Sequence, residues 1–141
     1  MATVPMRSVT VIGLSSDLQR RGETVATHAL LLQDDLQRRF HLPIGPCEAL
    51  GIKLALENEL IKRPITHDLI LSVLTQLKAE VEHVLIEPAG KRWRARVSVR
   101  TPSGSYMIEA SHGDAIALAL RANAAILATE EVITGEPDFQ S

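Results

Sequence analysis

The sequence predicts an α+β domain: a mixed, largely antiparallel β-sheet packed with about three main helices. Three observations carry this. Short β-branched or apolar runs, bounded by Gly, Pro, Ser and Asp, read as strands joined by turns. Three other stretches repeat their apolar residues at a helical period. A chain of 141 residues with 45% hydrophobic and 23% charged residues suits one globular domain. A domain of that size buries about 68–70% of the surface its unfolded chain exposes.

Residues 8–14 ("SVTVIGL") form a first strand, and the polar stretch 15–23 reads as a loop. A second strand covers 24–32, with Asp34 and Asp35 near a turn. A third covers 36–44 and ends at Gly45 and Pro46. The first helix spans about 47–60, where Ala49, Ile52, Ala55, Leu56 and Leu60 keep helical spacing. Pro46 suits its first turn, because the missing N–H has no partner there anyway. Pro64 breaks the pattern. In the second helix, Leu69, Ile70, Val73, Leu74 and Leu77 form an apolar stripe. Residues 81–87 and 92–99 make a hairpin around Pro88-Ala89-Gly90, and 105–110 pairs back through a turn at 101–104. A third helix covers about 113–121, and 125–128 is a short buried strand. The domain is expected over 8–134, with tails at 1–7 and 135–141. "GIKLAL" (51–56) and "AIALAL" (115–120) each follow a hairpin, so two hairpin–helix units are an option. Six positions fit a common core-helix string equally well.

Composition narrows the function. A net charge of −2 is not the basic field of a constitutive nucleic-acid binder. Aromatics are scarce, at 3%, for a protein that stacks bases. Cys47 is the only cysteine, which excludes an internal disulfide and a Cys-x-x-Cys zinc site. The sequence shows no signal-peptide pattern and no apolar run long enough to span a membrane, so a cytoplasmic protein is expected. No Walker A, Rossmann glycine pattern, Gly-x-Ser-x-Gly or His-Glu-x-x-His occurs.

The stretch "RPITHDL" (63–69) places a polar cluster directly before an apolar run. Helix capping explains part of it. Thr66 suits the N-cap, and Asp68 near N2 is favoured by the helix dipole. Capping does not explain Arg63 or His67. An imidazole exchanges protons near neutrality, and a guanidinium matches phosphate oxygens bidentately. Glu48 and Asp114 open the first and third helices as Asp68 opens the second. Dipole compensation accounts for each alone; converging, they would make a Mg²⁺ or Mn²⁺ site. In "KRWRARVSVR" (91–100), Arg92, Arg94, Arg96 and Arg100 share one strand face with Ser98. Such a stripe can track phosphates. The commoner outcome is a solvated face, balanced here by Glu80, Glu82 and Glu87.

"IGPCEALGIKLAL" (44–56), "RPITHDL" (63–69) and "DAIALALRANAAILATEEV" (114–132) resemble, in order and spacing, motifs of the bifunctional nuclease family. The resemblance covers about 9–132. It implies a mixed sheet with packed helices, a frequent dimer, and nuclease activity on RNA and DNA. It carries over Glu48, Arg63, Thr66, His67, Asp68 and Asp114. On that reading Glu48, Asp68 and Asp114 hold Mg²⁺ or Mn²⁺, His67 is the general acid or base, and Arg63 steadies the phosphate. Thr66, Arg94 and Arg96 would assist substrate binding, and no organic cofactor is expected. The sequence departs from the family twice. Ser111-His112-Gly113-Asp114 stands where the family has Arg-Pro-Ser-Asp, and Pro43 stands where it often has an aromatic residue. The modest charge, the few aromatics and the absent arginine fit an alternative: a non-catalytic dimeric module for a small ligand or a protein partner.

Overall fold

Strand-forming residues open the chain as β1 (Met6–Arg20), which pairs antiparallel with β2 (Glu23–Asp34). The computed structural model describes residues 5–20, 23–57 and 66–135. Of the polar stretch 15–23 expected as a loop, residues 15–20 and 23 are instead strand and 21–22 lie outside the described residues: Ser15 pairs with Ala29, Ser16 with His28 and Gln19 with Thr24. The reason is that a ladder needs only backbone donors and acceptors, which polar residues supply as well as apolar ones. Register shifts between Val11 and Gly13 and between Ser16 and Leu18 interrupt the pairing. Strand β1 begins at Met6, inside the expected N-terminal tail.

The next strand, β3 (Arg39–Ile44), starts later than expected. Asp34 holds the preceding turn, its Oδ1 accepting the N–H of Leu36 at 3.1 Å and of Arg38 at 2.7 Å. Gln37 sits there at φ 66°. Helix α1 (Pro46–Leu56) has Pro46 in its first turn and ends at Glu57. Residues 58–60, expected to extend it, lie outside the described residues. After α2 (Thr66–Gln76) come β4 (Glu80–Ala89), β5 (Arg92–Thr101) and β6 (Gly104–Ala110). Then follow α3 (His112–Ala122), β7 (Ala125–Thr129) and a short α4 (Glu130–Thr134) that the sequence reading missed. One turn of helix is too short to show a period. The sheet order is β3-β2-β1-β7-β4-β5-β6, and among the described residues only β4–β7 is a parallel pair. The hairpins β2–β3 and β5–β6 each lead into a helix, and the equivalent Ile52 and Ile116 are both fully buried.

Helix α3 is the centre of the core. Ala115 through Ala119 are all buried, and the alanines let neighbouring elements approach closely. Ile116 alone contributes about 2–3 kcal/mol of apolar burial. Asn123 closes the helix at φ 55°, in the left-handed region that asparagine tolerates. Helix α2 behaves differently. Its periodicity is as predicted, but the helix is rotated. His67 is its only buried residue, Leu71 and Leu74 only partly cover the core, and Leu69 (58%), Val73 (49%) and Leu77 (66%) are exposed.

A polar clasp fastens the start of α4 to the β2–β3 turn. Arg38 pairs with Asp34 through Nε at 2.7 Å and with both oxygens of Glu130, the Nη2 contact being 2.9 Å. Burial pushes Asp34 up, but hydrogen bonds from the Arg38 backbone and side chain outweigh it and leave the carboxyl below its usual range. Hydrogen bonding from Arg38 lowers Glu130, and Glu130 in turn raises Arg38.

Candidate functional site

The site forms where the start of α2 meets α1 and α3. Asp114 enters the first turn of α3 because Ser111 caps that helix, its Oγ accepting the Asp114 N–H at 3.2 Å. The same hydroxyl donates to Glu48 Oε1 at 3.0 Å, while Glu48 Oε2 accepts the Gly45 N–H at 3.2 Å. Glu48 thus ties the starts of α1 and α3 together. Its carboxylate lies over Gly113, where an added Cβ would stand 2.0 Å from Oε2. Only glycine leaves that space open.

His67 reaches Asp114 from α2, with Nε2 and Oδ1 3.1 Å apart. A carboxylate only accepts, so Nε2 carries the hydrogen. The other ring nitrogen, Nδ1, is buried without a partner among the described residues. It faces Gly51, where a Cβ would approach to 2.9 Å. The His67 side chain is 8% exposed and that of Asp114 is 56% exposed. The group that meets solvent is therefore the carboxylate, with the imidazole behind it.

A cavity of about 260 Å³ opens beside this pair, between α2, α3 and the β5–β6 hairpin. Thr66, His67 and Asp114 form its polar end, and its walls are aliphatic, among them Ile70, Leu74, Val97 and Ile108.

The other residues singled out in the sequence fall elsewhere. Asp68 turns toward Arg121, with 3.5 Å between Oδ1 and Nε. Arg121 was not singled out, although it is the cation in the last turn of α3; its Nε and Nη2 find no hydrogen-bond acceptor among the described residues. Thr66, expected as the N-cap, is the first helical residue instead, and Arg63 lies outside the described residues. Arg94 and Arg96 alternate with Val97 and Val99, so they occupy the sheet face away from the cavity. Both pair with Glu87, at 2.9 Å and 2.7 Å, and Arg100 pairs with Glu80. Glu82 accepts from Ser98 and Ser105. Arg94 and Arg96 thus share the one Glu87 carboxylate, and their stripe lies on the sheet face away from His67.

Among the described residues no group of three His, Cys, Asp or Glu is placed to hold a metal ion. Glu48, Asp68 and Asp114 do not converge as a Mg²⁺ or Mn²⁺ set: each has a different partner, respectively Ser111, Arg121 and His67. The two departures from the family motifs meet in space, since the His112 ring bonds the Pro43 carbonyl through Nε2.

Residues 30–138 match the bifunctional nuclease domain family. The chain belongs to that family. No individual curated protein matches its sequence. No described helix is long and apolar enough to cross a membrane.

Proposed function

We propose that this domain hydrolyses phosphodiester bonds in RNA or DNA, with Asp114 facing the substrate and His67 positioning it. The observation that carries this is the pair itself: a buried imidazole bonded to an exposed carboxylate at the mouth of a cavity. Hydrolysis requires a base for the proton of the attacking water. On this reading Asp114 takes it, which is supported by Oδ1 being bonded to His67 and by the exposure of the carboxylate. The leaving oxygen takes a proton from solvent as its bond to phosphorus breaks. The start of α2, with exposed Thr66, favours an anionic phosphate nearby. Arg63 keeps the phosphate-clamping role read from the sequence. Mg²⁺ or Mn²⁺ would polarise the phosphate, but among the described residues the donors do not gather to hold one.

Labelled single-stranded RNA, single-stranded DNA and duplex DNA, each with Mg²⁺, Mn²⁺ or chelator, test the reading. Asp114→Asn should lower cutting by about 10²–10⁴-fold. His67→Gln should lower it less and shift the pH profile. Equal cutting by all three proteins, or none by any, counts against the reading.

A second reading has its own support. Glu48 is engaged at both oxygens, Asp68 is ion-paired, and the cavity walls are aliphatic. These fit a non-catalytic binding or regulatory module for a small ligand or a protein partner. Its signature is a folded wild-type chain that cuts no substrate, with His67→Ala melting well below it.

A further inference from the structure

We propose that the cavity beside His67 and Asp114 binds a small apolar primary amine, its ammonium on Asp114 and its hydrocarbon body between α2 and the β5–β6 hairpin. The claim concerns what fills this cavity. It stands apart from hydrolysis, and no nucleic acid enters its test, so its failure leaves the hydrolytic reading untouched. Three observations carry it.

The first is room. Small residues keep the space open: Ala110 ends β6, Ala115 lies near the start of α3, and both line the cavity. A cavity of about 150 Å³ holds benzene, so about 260 Å³ takes roughly ten non-hydrogen atoms.

The second is the walls. Helix α2 supplies Ile70 and Leu74, the sheet supplies Val97, Val99 and Ile108, and α3 supplies Leu118. A buried water needs about two to four polar partners, and these side chains offer none. Hydrocarbon along these walls therefore displaces poorly held water, which is favourable.

The third is charge. Among the described residues that line the cavity, Asp114 is the only carboxylate and no lysine or arginine opposes it. His67 donates to Oδ1, and the side chain is still 56% exposed, so acceptor positions remain open. Thr66 lines the same end and offers a hydroxyl oxygen to a second ammonium N–H. An alcohol could make the same hydrogen bonds without the charge, and a carboxylate head would meet Asp114 as a like charge. The start of α2 opposes a cation with about half a unit of charge. The full charge of Asp114 exceeds that, and Glu48 adds a second carboxylate at the start of α3.

Calorimetric titration of the full chain at pH 8 tests this with n-hexylamine, 1-hexanol and hexanoate. At that pH imidazole is uncharged and an alkylammonium keeps its proton. Hexylamine should bind about ten-fold more tightly than hexanol, and hexanoate more weakly than either. Each methylene added from butylamine to octylamine should tighten binding about four-fold. Asp114→Asn should remove the amine's advantage and leave hexanol unchanged. Ala110→Leu keeps every charge but fills the cavity, so it should abolish binding of both, with far-UV circular dichroism showing that it folds. Location is read in the wild type by methyl NMR. Hexylamine should shift the methyls of Ile70, Val97 and Ile108 and leave those of Leu50 and Leu56, which line a separate cavity against α1. No binding by the wild type, or shifts centred on Leu50 and Leu56, overturns the proposal. Equal binding of amine and alcohol, unchanged in Asp114→Asn, overturns it in favour of an unselective apolar cavity.

Discussion

Two polar clusters in this domain use similar chemistry to opposite ends. In the clasp, Arg38 meets two carboxylates, and Asp34 also takes two backbone N–H groups. The cluster fastens a turn to α4. At the cavity, His67 gives one nitrogen to Asp114 and leaves the other buried without a partner among the described residues, while most of the carboxylate faces solvent. Saturated hydrogen bonding is the mark of a structural network. An incomplete set beside a cavity is where a ligand or a proton can still be accommodated. The difference separates a fastening from a site more sharply than residue type does.

Arg38→Met should break the clasp and give the largest fall in melting temperature among the stability variants, because Asp34 is left as a buried, unpaired carboxylate. The pH dependence sharpens this. Asp34 and Glu130 titrate below their unfolded values, so the unfolded chain binds more protons at acid pH. Their contribution is complete above the usual carboxylate range, about pH 4, and is lost as pH falls through the lowered folded values. The melting difference between wild type and Arg38→Met should therefore shrink on acidification, as thermal scans across pH would show. Constant separation at all pH values would count against the assignment.

At the other cluster, Gly51→Ala puts a Cβ against the imidazole and should cost about 1–3 kcal/mol. The imidazole resonances of His67 should move with it in proton NMR. A stable variant with unmoved resonances would mean the ring is not confined as described. Ser111→Ala is the mildest test. It removes the α3 cap and the Glu48 contact at a cost of about 1 kcal/mol. Denaturant titration would measure it, and no loss would mean that neither hydrogen bond of the Ser111 hydroxyl holds the two helix starts.

Much of this was legible in the sequence, and the misses share a cause. Helix α3 and the β4–β5 hairpin follow from local periodicity and turn residues. The pairing of Arg94 and Arg96 with Glu87 follows from strand alternation and nearby glutamates. The stripe on α2 was equally legible, but periodicity reports which residues are apolar, not whether anything covers them. The outer half of β1–β2 is polar, so only cross-strand pairing reveals it. His67 and Asp114 were each singled out, yet their contact spans 47 positions and depends on how α2 crosses α3. Glycines 51 and 113 gave no signal, because what matters there is a neighbour's side chain. Arg121 looked like an ordinary helix-end cation, and its approach to Asp68 is a tertiary fact.

Trp93, the only tryptophan, has its ring beside the end of α4: a Cβ on Gly135 would stand 3.2 Å from its Cη2. Helix α4 also carries Glu130, the clasp's far partner. The molecule therefore contains its own optical gauge. Indole emission will follow departure of the last helical turn, and acid that loosens Arg38 from Glu130 should redden it before the sheet's circular dichroism changes.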